Sequence, residues 1–333
     1  MVAAISVCLF HIVNSNPAFI AAANPIAKIC KYGYLGVDVF FIISGFIICY
    51  SLPADYNLKN LPVFVKKRLI RVEPSYLVSI IFTLLVAYIA ALYTHNPIND
   101  VSWVNLLYHI GYINNFTTNT YINVVYWTLG IEFQFYILIG LLFGIINRSI
   151  FWLAFVIITF LSLSFISIKG TSLIFGELPL FCVGILIFYI NFSERYSKPI
   201  LIFLLIVTFG LIAHNDLSTF IVSVFTIAVI LIPMRRYKVI NFLATISYSL
   251  YLTHVPIGGR VINWSLRFVK TDIQRYWIIA LTLGVSIITA YFFYIFIERW
   301  TTNISKKIKY SKADNAITPS HPTTISMPSG SGC

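Results

Sequence analysis

Residues 33–50 read GYLGVDVFFIISGFIICY, with Asp38 the one charged residue in the stretch. A helix needs roughly 20 mostly apolar residues to cross a bilayer, and this run meets that length within a turn. Reading outward, similar runs recur at about 1–13, 75–93, 123–146, 150–168, 172–192, 199–213, 217–234, 241–262 and 276–298. They end at Asn, Pro, Lys or Arg clusters. A membrane β-barrel would alternate apolar and polar residues over segments of about ten, and no such alternation occurs. The expected fold is therefore all-α, a polytopic membrane bundle of about ten helices.

Composition agrees. Of 333 residues, 59% are apolar and 10% charged, against about 45–50% and 25% in a soluble domain. This excludes an ordinary soluble enzyme, a disordered chain and a disulfide-stapled secreted domain. The net charge of +12 does not point to nucleic acid, because the basic residues fill the gaps between apolar runs and read as topology. With ten spans and a cytoplasmic N-terminus, sixteen Lys and Arg fall inside and seven outside, so both termini are expected in the cytoplasm. The five cysteines (Cys8, Cys30, Cys49, Cys182 and Cys333) show no CxxC or metal-type spacing, and no metal is expected. Residues 1–300 form the expected membrane domain. Residues 301–333, rich in Ser, Thr, Pro and Lys, read as a disordered cytoplasmic tail.

Ionisable groups inside a span are costly and are functional candidates by default. Here they are His11, Asp38, Glu132, Glu177 and His254, with Glu298 at a membrane edge. His11 is either a base working near neutral pH or a side chain bonding a neighbouring helix. Asp38 either orients a histidine, as a triad carboxylate does, or is structural. Glu132 has Tyr136 four residues on, on the same helical face; it is an acid or base, or an interhelical bond. His254 is ambiguous between packing and a site.

Among the loops, residues 51–74 carry Lys66, Lys67, Arg68 and Arg71 before Pro74. If helical, Arg68 and Arg71 share a face and suit phosphate oxygens; plain topological anchoring explains them equally. The loop 263–275 is basic on the expected outer side and faces either an acidic partner, such as a phosphorylated lipid carrier, or lipid headgroups.

Taken in order, these blocks are familiar. LFH ending at His11, YGYLGVDVFFIISGFI at 32–47, KKRLIRVEPSY at 66–76, YWTLGIEFQFYIL at 126–138, LPLFCVGIL at 178–186, ISYSLYLTHVPI at 246–257 and IERW at 297–300 resemble the acyltransferase 3 family of integral membrane O-acyltransferases. The resemblance implies transfer of an acyl group, usually acetyl, from cytoplasmic acyl-CoA to a hydroxyl of an extracytoplasmic or lipid-linked sugar or glycan. It implies a bacterial inner-membrane location among membrane lipids. It also implies a catalytic His11, CoA phosphates held by the block of Lys67, Arg68 and Arg71, and an aromatic–carboxylate block of Trp127, Glu132 and Tyr136. Asp38 or Glu132 would then orient His11, with Tyr136, Trp127 or backbone N–H groups near Gly36 or Gly45 as candidate oxyanion donors. Direct transfer and an acylated His11 both stay open. A transporter or flippase for a lipid-linked sugar is the alternative class.

The family's pattern departs at two places. Glu298-Arg299-Trp300 stands where Glu-x-Pro is common. The arginine usual eleven residues before the histidine would fall immediately before Met1. The run Met1–Val13 spans ~20 Å at ~1.5 Å per residue, short of a ~30 Å hydrocarbon layer. Both features lead to the expectation of a start upstream of Met1.

Overall fold

The computed structural model describes residues 1–94, 101–232 and 237–310. Among these, fourteen α-helices and no strand occur. They are α1 (Val2–Asn14), α2 (Pro25–Cys30), α3 (Gly36–Ser51), α4 (Leu61–Thr94), α5 (Trp103–Ile110), α6 (Tyr126–Ile146) and α7 (Ile150–Leu163). Then follow α8 (Leu178–Phe192), α9 (Lys198–Asn215), α10 (Leu217–Leu231), α11 (Lys238–Thr245), α12 (Ser247–Ser265), α13 (Asp272–Phe293) and α14 (Arg299–Lys307).

The all-helical expectation holds, and the count of ten spans does not follow from it. Six helical segments among the described residues are long and apolar enough to cross a membrane: Pro25–Ser51, Leu58–Thr94, Tyr126–Ile146, Ile174–Phe192, Lys198–Asn215 and Asp272–Lys307. The other expected spans fall on α1, α7 and α10, which are 13 to 15 residues long, and on α12, diluted by Ser247, Ser249, Thr253, His254 and Arg260. The outward surface is itself apolar, with Ile81, Leu85, Phe203, Ile206 and Phe225 exposed, as a lipid-facing surface requires.

Two expected boundaries move. Residues 61–74 are not a loop: α4 begins at Leu61 and runs through Pro74. A proline within a helix removes one backbone donor, and the rest of a 34-residue helix tolerates that loss. At the other end of the chain, a π-helical turn at Tyr294–Glu298 joins α13 to α14. Helix α14 continues to Lys307 with Thr301 and Ser305 buried, so ordered helix extends past the expected boundary at 300. The remainder of the expected tail from 311 lies outside the described residues, as do Arg235 and Arg236.

Small residues let the central helices meet backbone to backbone, the usual device of membrane bundles. A Cβ on Gly45 would run into the Phe181 carbonyl, and one on Gly184 into the Ile42 carbonyl, so α3 and α8 are pressed together. A Cβ on Gly33 or Gly36 would strike the Ser6 or Ala3 carbonyl, which seats α1 against the start of α3. On α12, Pro256 leaves the Leu252 carbonyl without its helical donor. Asn123 Nδ2 supplies one at 3.3 Å.

These contacts set the direction of each helix. Helix α3 starts at the end of the bundle carrying Asp38 and finishes at the end carrying Arg68, whose Nη2 donates to Ser51 Oγ at 2.5 Å. Helix α6 runs the same way, because the Tyr56 hydroxyl, just beyond α3, donates to the Gly140 carbonyl at 2.9 Å. So does α8, whose Phe192 packs on Phe46 and Tyr50. Helices α1 and α12 run the opposite way side by side, with Asn16 bonded to Asn263 at 2.9 Å.

Candidate active site

At the aspartate end a cavity of about 460 Å³ opens between α1, α3, α6, α8 and α10, and its wall includes His11, Asp38, Trp127, Glu177, Asp216 and Thr219. Helix α1 turns its apolar residues Ala4, Val7, Cys8 and Ile12 into the bundle, which leaves the half-buried His11 at the cavity. The α3–α8 contact brings Asp38, two residues into α3, and Glu177, just ahead of α8, to the same wall. His11 and Asp38, read separately from the sequence, are thus brought to one space.

Asp38 does not bond the imidazole. Its Oδ2 accepts from Thr219 Oγ1 at 2.8 Å, and the same hydroxyl lies 2.8 Å from Asp216 Oδ2. Asp216 caps α10, accepting from the amides of Ser218 at 3.0 Å and Thr219 at 3.2 Å. The Thr219 hydroxyl first, and then these amides, hold its carboxyl below the usual carboxylate range. A hydroxyl has one proton to give. With carboxyl oxygens on both sides, one of the two contacts needs a proton from a carboxyl group.

Glu132 and Tyr136 stand elsewhere. Glu132 Oε1 accepts from Tyr136 Oη at 2.6 Å and from Ser44 Oγ at 2.9 Å. Both residues line a second, small cavity together with Arg68 and Glu73. Glu132 therefore holds α6 to α3 and makes no hydrogen bond to His11. The Tyr136 hydroxyl is committed to Glu132, away from the His11 cavity, while Trp127 does line that cavity.

The basic block, expected in a loop, is helical and lies in the first turns of α4. The Arg68 guanidinium lies 5.6 Å from the Tyr136 ring centre and 5.5 Å from that of Phe64, within cation–π range. Its Nε is buried without a hydrogen-bond partner. Lys67 Nζ sits 5.7 Å from the Tyr310 ring, and Arg71 is exposed. Tyr136 thus links the basic segment to Glu132.

Several participants escaped sequence reasoning. Asp216 and Thr219 were not singled out, since an Asp-x-x-Thr helix cap gives no sign of reaching another helix. Glu73 lay inside a block read for its cations. Glu298, which the sequence did single out at a membrane edge, accepts from the Ser249 amide at 3.1 Å and hydroxyl at 2.5 Å, tying the π turn after α13 to the start of α12. Among the described residues no three His, Cys, Asp or Glu side chains converge as metal ligands would.

The helical bundle, with a histidine in the wall of an open cavity and a cationic helix start at its far end, is that of a membrane acyltransferase. The family defined by the acyltransferase domain, acyltransferase 3, matches residues 1–297, and the chain belongs to it; with its apolar helices it is a multi-pass membrane protein. Among curated proteins it is similar to O-acetyltransferase OatA of Staphylococcus aureus, in strains NCTC 8325 / PS 47, COL and MRSA252. Each is 27% identical over 279 residues, covering 68% of this chain and 46% of the relative. The chain spans about half the length of the curated relatives it matches. No solved structure matches it.

Proposed function

We propose that the protein is a membrane O-acyltransferase moving an acyl group, acetyl, from acyl-CoA to a hydroxyl of a sugar, glycan or lipid-linked glycan. The observation that carries this reading is His11, half-buried in the wall of a cavity large enough for a sugar ring, in a chain of the acyltransferase family. An alcohol is a poor nucleophile until a base takes its proton. His11 accepts that proton as the alcohol oxygen attacks the thioester carbonyl. The carbon–sulfur bond breaks, and the imidazolium returns the proton to the CoA sulfur.

The donor enters at the arginine end. Arg68, Arg71 and Lys67 hold the CoA phosphates there, guanidinium forks suiting phosphate oxygens. The acceptor enters at the aspartate end, where Asp38, Glu177 and Asp216 offer acceptors to sugar hydroxyls and Trp127 offers an apolar face. By the distribution of Lys and Arg, the arginine end and both termini face the cytoplasm of a bacterial inner membrane. Residues 1–300 act as the transferase domain.

The test uses the purified full chain in proteoliposomes with acetyl-labelled acetyl-CoA and a panel of surface glycans. Label should pass to glycan. His11→Ala should lower turnover by ~10²–10⁴-fold with unchanged thermal stability in detergent. Activity above about a tenth of wild type would remove His11 from the base role.

A further inference from the structure

The imidazole of His11 makes no hydrogen bond to any described residue, and neither carboxylate expected to orient it does so. Its polar neighbour is a second histidine. His254 of α12 lies with its ring centre 5.3 Å from that of His11, the planes inclined at 48°. The two helices meet closely here because Gly258, one turn further along α12, faces Ile12 of α1; a Cβ there would stand 3.3 Å from Ile12 Cγ1.

His254 is 1% exposed, and its two nitrogens are in different states. Nδ1 lies 2.9 Å from the Leu250 carbonyl. A carbonyl can only accept, so Nδ1 carries the hydrogen, and the neutral ring must leave Nε2 bare. That Nε2 is buried with no hydrogen-bond partner, a costly condition for a polar atom in a packed interior. The nearby aromatic hydroxyl cannot relieve it: Tyr251, 6.0 Å away ring to ring, is bonded to Thr128 at 2.6 Å and the Val125 carbonyl at 3.3 Å.

We propose that His254 is the positioning residue for His11. A turn of the His11 side chain across the 5.3 Å between the rings brings its N–H onto this bare Nε2, so that the other His11 nitrogen faces the cavity unprotonated and ready to take a proton. A backbone carbonyl fixes the tautomer of His254, and His254 in turn fixes that of His11. When His11 becomes an imidazolium, the N–H directed at His254 becomes a charge-assisted donor, the stronger kind. His254 neither gains nor loses a proton in the cycle. This inference rests on the acyl-transfer reading for its kinetic consequence, and on the two rings alone for the pairing.

The test compares His254→Leu, which keeps the volume and removes the acceptor, with His254→Gln, whose amide oxygen reaches about where Nε2 lies. Both are compared with wild type as full chains in detergent, at matched thermal stability. With acetyl-CoA and an acceptor glycan, Leu should lower kcat on the order of tenfold or more while leaving both KM values unchanged. Gln should recover most of the loss. In ¹⁵N-histidine spectra, with the His11 signals assigned by their absence in His11→Gln, His11 should hold one tautomer in wild type and a mixture in His254→Leu. A mixed His11 tautomer in wild type, or one unchanged by Leu, overturns the pairing whether or not the protein transfers acetyl. An unchanged kcat in His254→Leu, or a Gln variant as slow as Leu, overturns the positioning role. A wild type that transfers no acetyl defeats the acyl-transfer reading, and the spectra then decide the pairing by themselves.

Discussion

Gly184→Ala tests the packing that assembles the cavity. A methyl carbon at this position would lie 2.6 Å from Phe46 N and 3.0 Å from the Gly45 carbonyl carbon, and would run into the Ile42 carbonyl oxygen. All three obstacles are backbone, so no side chain can swing aside and α3 must move away from α8. Overpacking of this kind costs ~1–3 kcal/mol, and a backbone clash belongs at the upper limit. Alanine returns ~1 kcal/mol through its better helix propensity, leaving a net loss of ~2 kcal/mol. For a chain of this size, whose unfolding entropy is ~0.7 kcal/mol/K at ~2.1 cal/mol/K per residue, that is a fall of roughly 3 °C in melting temperature. Gly210→Ala in α9 is the control, since a Cβ there meets nothing within 4 Å; it should leave the melting temperature unchanged or raise it. The assay is thermal unfolding of the purified chain in one detergent, followed by intrinsic fluorescence. Because α3 carries Asp38 and α8 follows Glu177, the acceptor KM should rise before the donor KM does. A Gly184→Ala protein that melts with or above Gly210→Ala would refute the close approach.

At the arginine end, Arg68→Ala with Arg71→Ala should raise the KM for acetyl-CoA, and the double Lys variant should restore it in part, since lysine lacks the guanidinium fork; initial rates over a donor titration decide it. Tyr136→Phe keeps the ring under Arg68 but deletes the donor to Glu132, and should cost ~1 kcal/mol of stability with little change in donor KM. Tyr136→Leu should add a rise in donor KM, because the surface beneath the guanidinium is lost as well.

The long apolar stretches were legible because length and composition act locally: 33–50, 123–146, 172–192, 199–213 and 276–298 all fall on helices that can span. Helix α12 was harder, since its His254, Pro256 and Gly258 make sense only beside His11 and Ile12 of α1 and Asn123 ahead of α6. Pro74 misled in the same way. A proline lowers the local expectation of helix, and only the rest of α4 offsets it. At the site, the sequence singled out His11, Asp38 and Glu132 by the cost of ionisable groups in an apolar run, and Tyr136 by its spacing from Glu132 and the family resemblance. That criterion finds candidates without pairing them. The pairing comes from contacts between residues 181 positions apart for Asp38 and Thr219 and 88 apart for Ser44 and Glu132. Asp216 and Thr219 carried no such mark, because a helix cap at a span's edge looks the same whether or not its hydroxyl reaches another helix.

The π turn at Tyr294–Glu298 works as a phase shifter. Each residue of an α-helix turns the chain by about 100°, and a π turn accommodates one residue more than the surrounding helix would. Everything after it is rotated by about that angle about the helix. Glu298 consequently faces Ser249 on α12, and Thr301 lies against the Arg71 carbonyl of α4 at 3.4 Å. A single inserted position between α13 and α14 therefore sets the angle at which the chain closes over the cationic start of α4, some 230 residues away in sequence.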